Sequence, residues 1–207
     1  NIARHGATLW QCAPTIAARE AMCAQVQADT GATLVHPYTD AAVIAGQGTA
    51  ALELLQAGGT FVVLVVPVGG GGLAAGTALA LQQVSPQTRL VLAEPAGAAD
   101  TARSLQAGER RIDFVPDTVC DGLRGTLGAP NFQVLQAGGA EVIVVDDAAT
   151  VAAMRLLWQV LKQTVEPSSA IALAAVLAQP QRFAGLRVGL VLSGGNVDID
   201  ALPWAAA

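Results

Sequence analysis

Four consecutive glycines, Gly69 to Gly72, follow the aliphatic run FVVLVVPV at 61–68. Residues without a Cβ let the backbone turn tightly and present several N–H groups inward, and a helix opening there adds the positive end of its dipole. The combination is an anion cradle suited to a phosphate. A Walker loop is excluded, because no Lys-Ser/Thr pair follows the glycines. A dinucleotide loop stays open: Gly69-x-Gly71-x-x-Ala74 has the required spacing, and the acidic Glu94 lies about 20 residues further on. Pro67 just ahead of the loop and Pro95 directly after the acid fit that fingerprint poorly. A second polar, glycine-rich stretch is Ser193-Gly194-Gly195-Asn196, where a hydroxyl could bond a ligand heteroatom and the glycines would let the ligand approach. Neither His5 nor His36 sits in a metal-ligand spacing, and there is no GxSxG or HExxH motif.

These stretches follow short aliphatic runs, which identifies the elements that carry them. Residues 61–68, 90–93, 141–145 and 187–192 read as strands, and 41–57, 73–84, 98–107, 148–163 and 168–179 as helices. Asp147 is the expected N-cap of the fourth helix and Ser168 or Ser169 of the fifth, with Pro167 at the boundary. The stripe 154/157/161/165 with Trp158 reads as helix core. Strands alternating with helices predict an α/β fold, an open, twisted, mainly parallel sheet with flanking helices. Ligands in such sheets sit beyond the carboxyl ends of the strands, where both glycine stretches and Glu94 fall. Residues 1–38 are expected to form part of a small domain, with a helix at 16–28 and strands at 8–11 and 33–35. Residues 39–207 would form the large cofactor-binding domain, reached through a hinge at His36-Pro37.

Composition narrows the function classes. With 207 residues, 53% of them hydrophobic and 13% charged, the chain can fill a core and is not disordered. A net charge of -5 with 11 scattered Lys and Arg argues against a nucleic-acid groove. The longest aliphatic run is far short of the ~20 residues that span a membrane. Three Cys without a CxxC pair fit reduced thiols in a cytoplasm, and Cys120 reads as a buried, inert thiol.

Taken together, VPVGGGG (66–72), AEP (93–95), DGL (121–123), EPSSA (166–170) and VLSGGN (191–196) resemble, in order and spacing, the fold-type II pyridoxal-phosphate enzymes, whose architecture is like that of the tryptophan synthase β subunit. VHPYTDAAVIAGQGTAALEL (35–54) is similar as well. Within that family the chain looks most like the serine racemase and serine/threonine dehydratase branch. The family's Schiff-base lysine and catalytic serine belong to motifs upstream of Asn1, so the chain looks like the carboxyl two-thirds of such an enzyme, inactive and poorly soluble alone. Lys162, its one lysine, is not at the family position.

The resemblance implies that Gly69, Gly70, Gly71, Gly72 and Leu73 hold the phosphate of pyridoxal 5′-phosphate. Gly122 would line its ring, and Ser193 would bond the pyridine nitrogen. Glu94, the Ala98 carbonyl and Asp100 would form a Mg2+ or Ca2+ site, and Arg19 would lie near the substrate carboxylate. Tyr38 stands where some relatives carry an Asn beside the cofactor. The implied reaction is loss of water and ammonia from a small hydroxy amino acid, or its racemisation, by a cytoplasmic homodimer without nucleic-acid or membrane partners. The alternatives are an NAD(P)-dependent oxidoreductase built on the glycine loop and a non-catalytic fragment.

Overall fold

The computed structural model describes residues 2–204; the outermost residues of the two expected domains, 1 and 205–207, lie outside that range. The chain forms two compact units, Asn1–His36 and Pro37–Ala207. The seam falls at the His36-Pro37 step, two residues before the expected end of the small domain.

The first unit carries α1 (Ile16–Thr30), opened by Thr15, whose hydroxyl accepts from Ala18 N, and closed by Gly31 in the left-handed region. The strands expected at 8–11 and 33–35 are not formed; both segments run without a ladder. α1 has no fully buried residue, and an isolated pair of short strands without a larger sheet or core is marginal.

The second unit is built on a four-stranded sheet ordered β3-β2-β1-β4, with every neighbouring pair parallel. Its strands are β1 (Val63–Pro67), β2 (Arg89–Pro95), β3 (Glu141–Val145) and β4 (Val188–Leu190). α2 (Ala41–Gly58) precedes β1, and α3 (Gly72–Val84) and α4 (Asp100–Ala107) follow β1 and β2. α5 (Ala129–Ala137), α6 (Asp147–Leu161), α7 (Pro167–Ala178) and the short α8 (Pro180–Phe183) complete the unit. Alternate strand residues point to opposite faces. Val63, Val65, Val91, Ala93, Ile143 and Val145 pack with Ala153 of α6 and with Ile171, Ala172 and Ala175 of α7. Leu64, Val66, Leu90 and Leu92 pack on the other face with Ala51, Ala74, Ala78, Leu81 and Leu135 from α2, α3 and α5. A sheet covered on both faces requires aliphatic runs without alternation, as the sequence has. No described helix is long and apolar enough to cross a membrane.

α2 and α3 meet backbone to backbone. A Cβ on Gly76 would lie 2.6 Å from Gly48 N, and one on Gly48 would lie 2.8 Å from the Gly76 carbonyl oxygen. Only a glycine pair allows that approach.

Four expectations are corrected here. The helix α5 was not anticipated; its stretch is short and weakly patterned, and it starts behind glycine and proline. The cap of α6 is Asp146, not Asp147: Asp146 is extended and accepts from Ala149 N, while Asp147 turns away to Thr118. The cap of α7 is Glu166, with Pro167 in the first turn, so Ser168 and Ser169 lie inside the helix. Within the stripe, Met154 and Leu157 are buried on α6, but Leu161, its last residue, is 53% exposed, and Val165, though buried, lies beyond the end of the helix.

Candidate functional site

The carboxyl ends of β1, β4 and β2 supply the three polar loops. Beyond β1, Val68 N donates to Ala93 O (3.0 Å), and the chain then enters the glycine run. Gly71 is the N-cap of α3, at φ +90°, and no side chain caps the helix. The run is glycine because of what presses on it. A Cβ on Gly69 would fall 2.8 Å from the Leu123 Cα, and one on Gly70 would fall 2.6 Å from Cδ2 of the Tyr38 ring. The loop is therefore held from both sides, with the amide groups of the first turn of α3 left to an external acceptor.

Asn131, on α5, is the residue that sequence reasoning missed. Its side chain is fully buried, and Nδ2 donates to Gly70 O (2.6 Å) and to Tyr38 O (2.8 Å). Gly128 N also donates to Gly70 O (3.0 Å). One amide thus fixes both the glycine loop and the Tyr38 backbone. The signal in the sequence was Pro130 behind Gly128, a helix start.

Beyond β4, Val191 N still donates to Val65 O (3.1 Å); from Leu192 the chain leaves the ladder, and Ser193 is exposed. Gly194 O accepts from Glu166 N (3.1 Å), and Asn196 N donates to Glu166 Oε2 (2.7 Å). The Asp121–Leu123 turn is held by the same end of α7, with Gly122 N donating to Ser168 Oγ (3.0 Å). Behind this turn Asp147 accepts from Thr118 Oγ1 (2.6 Å) and from Val119 N (2.9 Å), and Arg124 donates to Thr118 O.

At the end of β2, Glu94 is fully buried and caps α4: Oε1 accepts from Thr101 N (2.7 Å) and Oε2 from Ala102 N (2.8 Å). Burial pushes its carboxyl up to about 7, against the lowering effect of these bonds, and nearby Asp100 adds to the rise. A carboxylate turned inward in this way is not placed to bind a ribose, which weakens the dinucleotide reading. Asp100, also fully buried, accepts from Leu127 N at Oδ2 (2.8 Å); Oδ1 has no partner, and burial pushes this carboxyl up to about 6. Ala98 sits buried between the two acids in the turn Ala96–Ala98. Among the described residues no three His, Cys, Asp or Glu side chains gather as a metal site. The donor set on offer is two carboxylates, one with a bare oxygen, and a backbone carbonyl. These are hard oxygens of the kind that Mg2+ and Ca2+ take.

Arg19 lies on α1 in the first unit, where it lines a cavity of about 300 Å³ with Trp10, Cys12 and Cys23. Lys162 follows α6 in the left-handed region, its Nζ donating to Gln159 O (2.7 Å). Cys120 is buried, and burial pushes its thiol up to about 12, so it stays protonated and unreactive at neutral pH. A thiol reagent at pH 8 is expected to label exposed Cys12 readily and to leave Cys120 intact until denaturant is added, with peptide mass spectrometry as the readout. Labelling of native Cys120 at the rate of Cys12 would contradict its burial.

Comparison with known proteins bears on this arrangement. Residues 1–194 match the family described as "Pyridoxal-phosphate dependent enzyme". Over 204 residues the chain is 44% identical to a beta-hydroxyaspartate dehydratase of Paracoccus denitrificans, an alignment covering 99% of this chain and 65% of that protein. The structure of maize serine racemase superimposes with a TM-score of 0.91 at 40% identity, covering 96% of this chain and 63% of that one. The threonine deaminase of T.th. gives a TM-score of 0.79 at 43% identity, covering 84% and 65%. The chain thus spans just under two thirds of the length of each of these proteins.

Proposed function

Because the chain belongs to the pyridoxal-phosphate dependent enzyme family, we propose that it forms the cofactor-holding part of an ammonia-lyase that removes water and ammonia from a small β-hydroxy amino acid. One juxtaposition carries the reading: the glycine loop and the Ser193 loop leave neighbouring parallel strands on the same edge of the sheet. In this reading the N–H groups of Gly69–Gly72 and Leu73 hold the phosphate dianion, favoured by the positive end of α3. The uncapped helix start and the side-chain-free loop fit such a group. Gly122 lines the ring, and the Ser193 hydroxyl bonds the ring nitrogen. When bound, pyridoxal phosphate supplies the electron sink that stabilises negative charge at the substrate α-carbon. A neutral hydroxyl at the ring nitrogen, in place of a carboxylate, does not hold a proton there, and that milder setting suits departure of a β-hydroxyl. Arg19 is assigned to the substrate carboxylate in the same reading.

The relatives named as a dehydratase and a deaminase favour elimination. The close superposition on a serine racemase favours a second reading, racemisation at the same site. The test is the whole protein with pyridoxal phosphate and serine, threonine or β-hydroxyaspartate. Ammonia and a 2-oxo acid in equal amounts are expected. Loss of optical purity without oxo acid would favour racemisation, and NADH binding with neither reaction would overturn both readings. These 207 residues alone are expected to give no turnover, because their one lysine is engaged at the end of α6.

Glu94, the Ala98 carbonyl and Asp100 are proposed to hold Mg2+ or Ca2+, supported by the bare buried oxygen of Asp100. Millimolar Mg2+ is expected to raise the melting temperature by about 4 °C through its preference for the native state. EDTA should reverse the gain and Asp100→Asn should abolish it; an undiminished shift in Asp100→Asn would place the ion elsewhere. A cytoplasmic homodimer completes the proposal, and sedimentation velocity of the whole protein checks the stoichiometry.

A further inference from the structure

We infer that Glu166 is a positioning residue that holds the Ser193–Asn196 loop, and with it the Ser193 hydroxyl, in register with the Asp121–Leu123 turn; this rests on the pyridoxal-phosphate reading above. β4 is only three residues long, and past Val191 no ladder bond guides the chain. What guides it is Glu166. The backbone N–H of this residue donates to Gly194 O (3.1 Å), and its carboxylate accepts from Asn196 N (2.7 Å), a partner 30 residues away. The contact is close along its length: a Cβ on Gly194 would fall 2.6 Å from the carboxylate carbon. The same carboxylate reaches toward the other loop, Oε1 lying 3.7 Å from where a Cβ on Gly122 would be.

The base from which Glu166 acts is firm. Ser169 N and Ala170 N donate to Glu166 O (3.1 and 3.0 Å), Pro167 fixes the first turn, and Ser168, Ser169 and Ala170 are buried. Ser168, two residues further on, accepts from Gly122 N. One helix start therefore sets the spacing between two loops that are otherwise 72 positions apart (194 − 122). Glu166 gives up something to do this. It is the N-cap of α7, yet its side chain makes no cap bond, at a position where Ser, Thr, Asp or Asn would satisfy the helix. Among the described residues no Lys or Arg forms an ion pair with it. A carboxylate that neither caps its own helix nor pairs with a cation, but is bonded to a distant loop, is explained by the loop.

The test uses the whole protein as wild type, Glu166→Ala, Ser193→Ala and the double variant, each titrated with pyridoxal 5′-phosphate by absorption and fluorescence, with cooperative melting as the check on folding. Glu166→Ala is expected to raise the dissociation constant about tenfold when Ser193 is present, and less than about twofold when position 193 is already Ala, because the one residue acts through the other. Glu166→Gln, which still accepts from the Asn196 N–H, should recover most of the loss. Equal losses in both backgrounds, or none in either, overturn the inference. Should the alanine variant not melt cooperatively, Glu166→Asp, one methylene too short to reach Asn196, takes its place. Hydrogen exchange at the Asn196 amide supplies an arm that needs no cofactor. It should quicken in Glu166→Ala, and unchanged exchange also overturns the inference. A wild-type protein that takes up no pyridoxal phosphate would refute the functional reading, while the exchange arm still decides the clamp.

Discussion

Replacing Gly71 with alanine is expected to weaken pyridoxal 5′-phosphate binding by about a hundredfold while leaving free pyridoxal within about threefold. Two effects combine at this position. The residue sits at φ +90°, a conformation that costs an L-residue on the order of 1–3 kcal/mol. Its new Cβ would also lie 2.8 Å from a methyl of Leu127 and 2.9 Å from the Asn131 Cβ. Leu127 can turn its methyl aside, but Asn131 is fixed by its two carbonyl bonds, so the loop must give way. Displaced amides lose charge-assisted bonds to a phosphate, and a ligand without phosphate has none of these to lose. Paired fluorescence titrations with the two vitamers read the contrast. Equal losses for both would mean that the loop does not grip the phosphate.

Asn131→Ala is expected to destabilise the protein by about 3 kcal/mol, more than an ordinary surface change, as measured by urea unfolding. The substitution leaves Tyr38 O without this donor, removes one of the two donors to Gly70 O, and opens a cavity in a side-chain site that is fully buried. Asn131→Asp, which keeps the volume but not the donor, should cost at least as much. A loss below about 1 kcal/mol in the alanine variant would show that the amide is dispensable.

The sheet was legible because burial on both faces forces continuous aliphatic runs: 141–145 was read to the residue, and the other strands were read within a few residues of their ends. The glycine turn from β1 into α3 was legible because a run of glycines directly after an aliphatic stretch marks a tight strand-to-helix junction. Other features turned on choices between neighbours. Asp146 and Asp147 are equally good caps on paper; the extended backbone at Asp146 and the pull of Thr118 on Asp147 decide between them. Glu94 reads from sequence as a ligand-binding acid at a strand end, and the bonds that turn it to the open amides of α4 have no mark in its spacing. Asn131 and Glu166 act through contacts 61 and 30 residues distant, which spacing along a chain does not encode. The segments at 8–11 and 33–35 have strand-like residues but form no ladder, and α1 beside them buries no residue fully.

The glycine seam between α2 and α3 has a mechanical meaning. Where side chains interdigitate, a helix can shift by swapping rotamers, but a contact made of peptide against peptide has no such compliance. The amide-bearing tip of α3 should therefore behave as a fixed abutment, with adjustment to an arriving ligand falling on the loops in front of it. Amide relaxation measurements with and without ligand would then show a quiet helix pair bordered by sharply responding signals from 193–196 and 121–125.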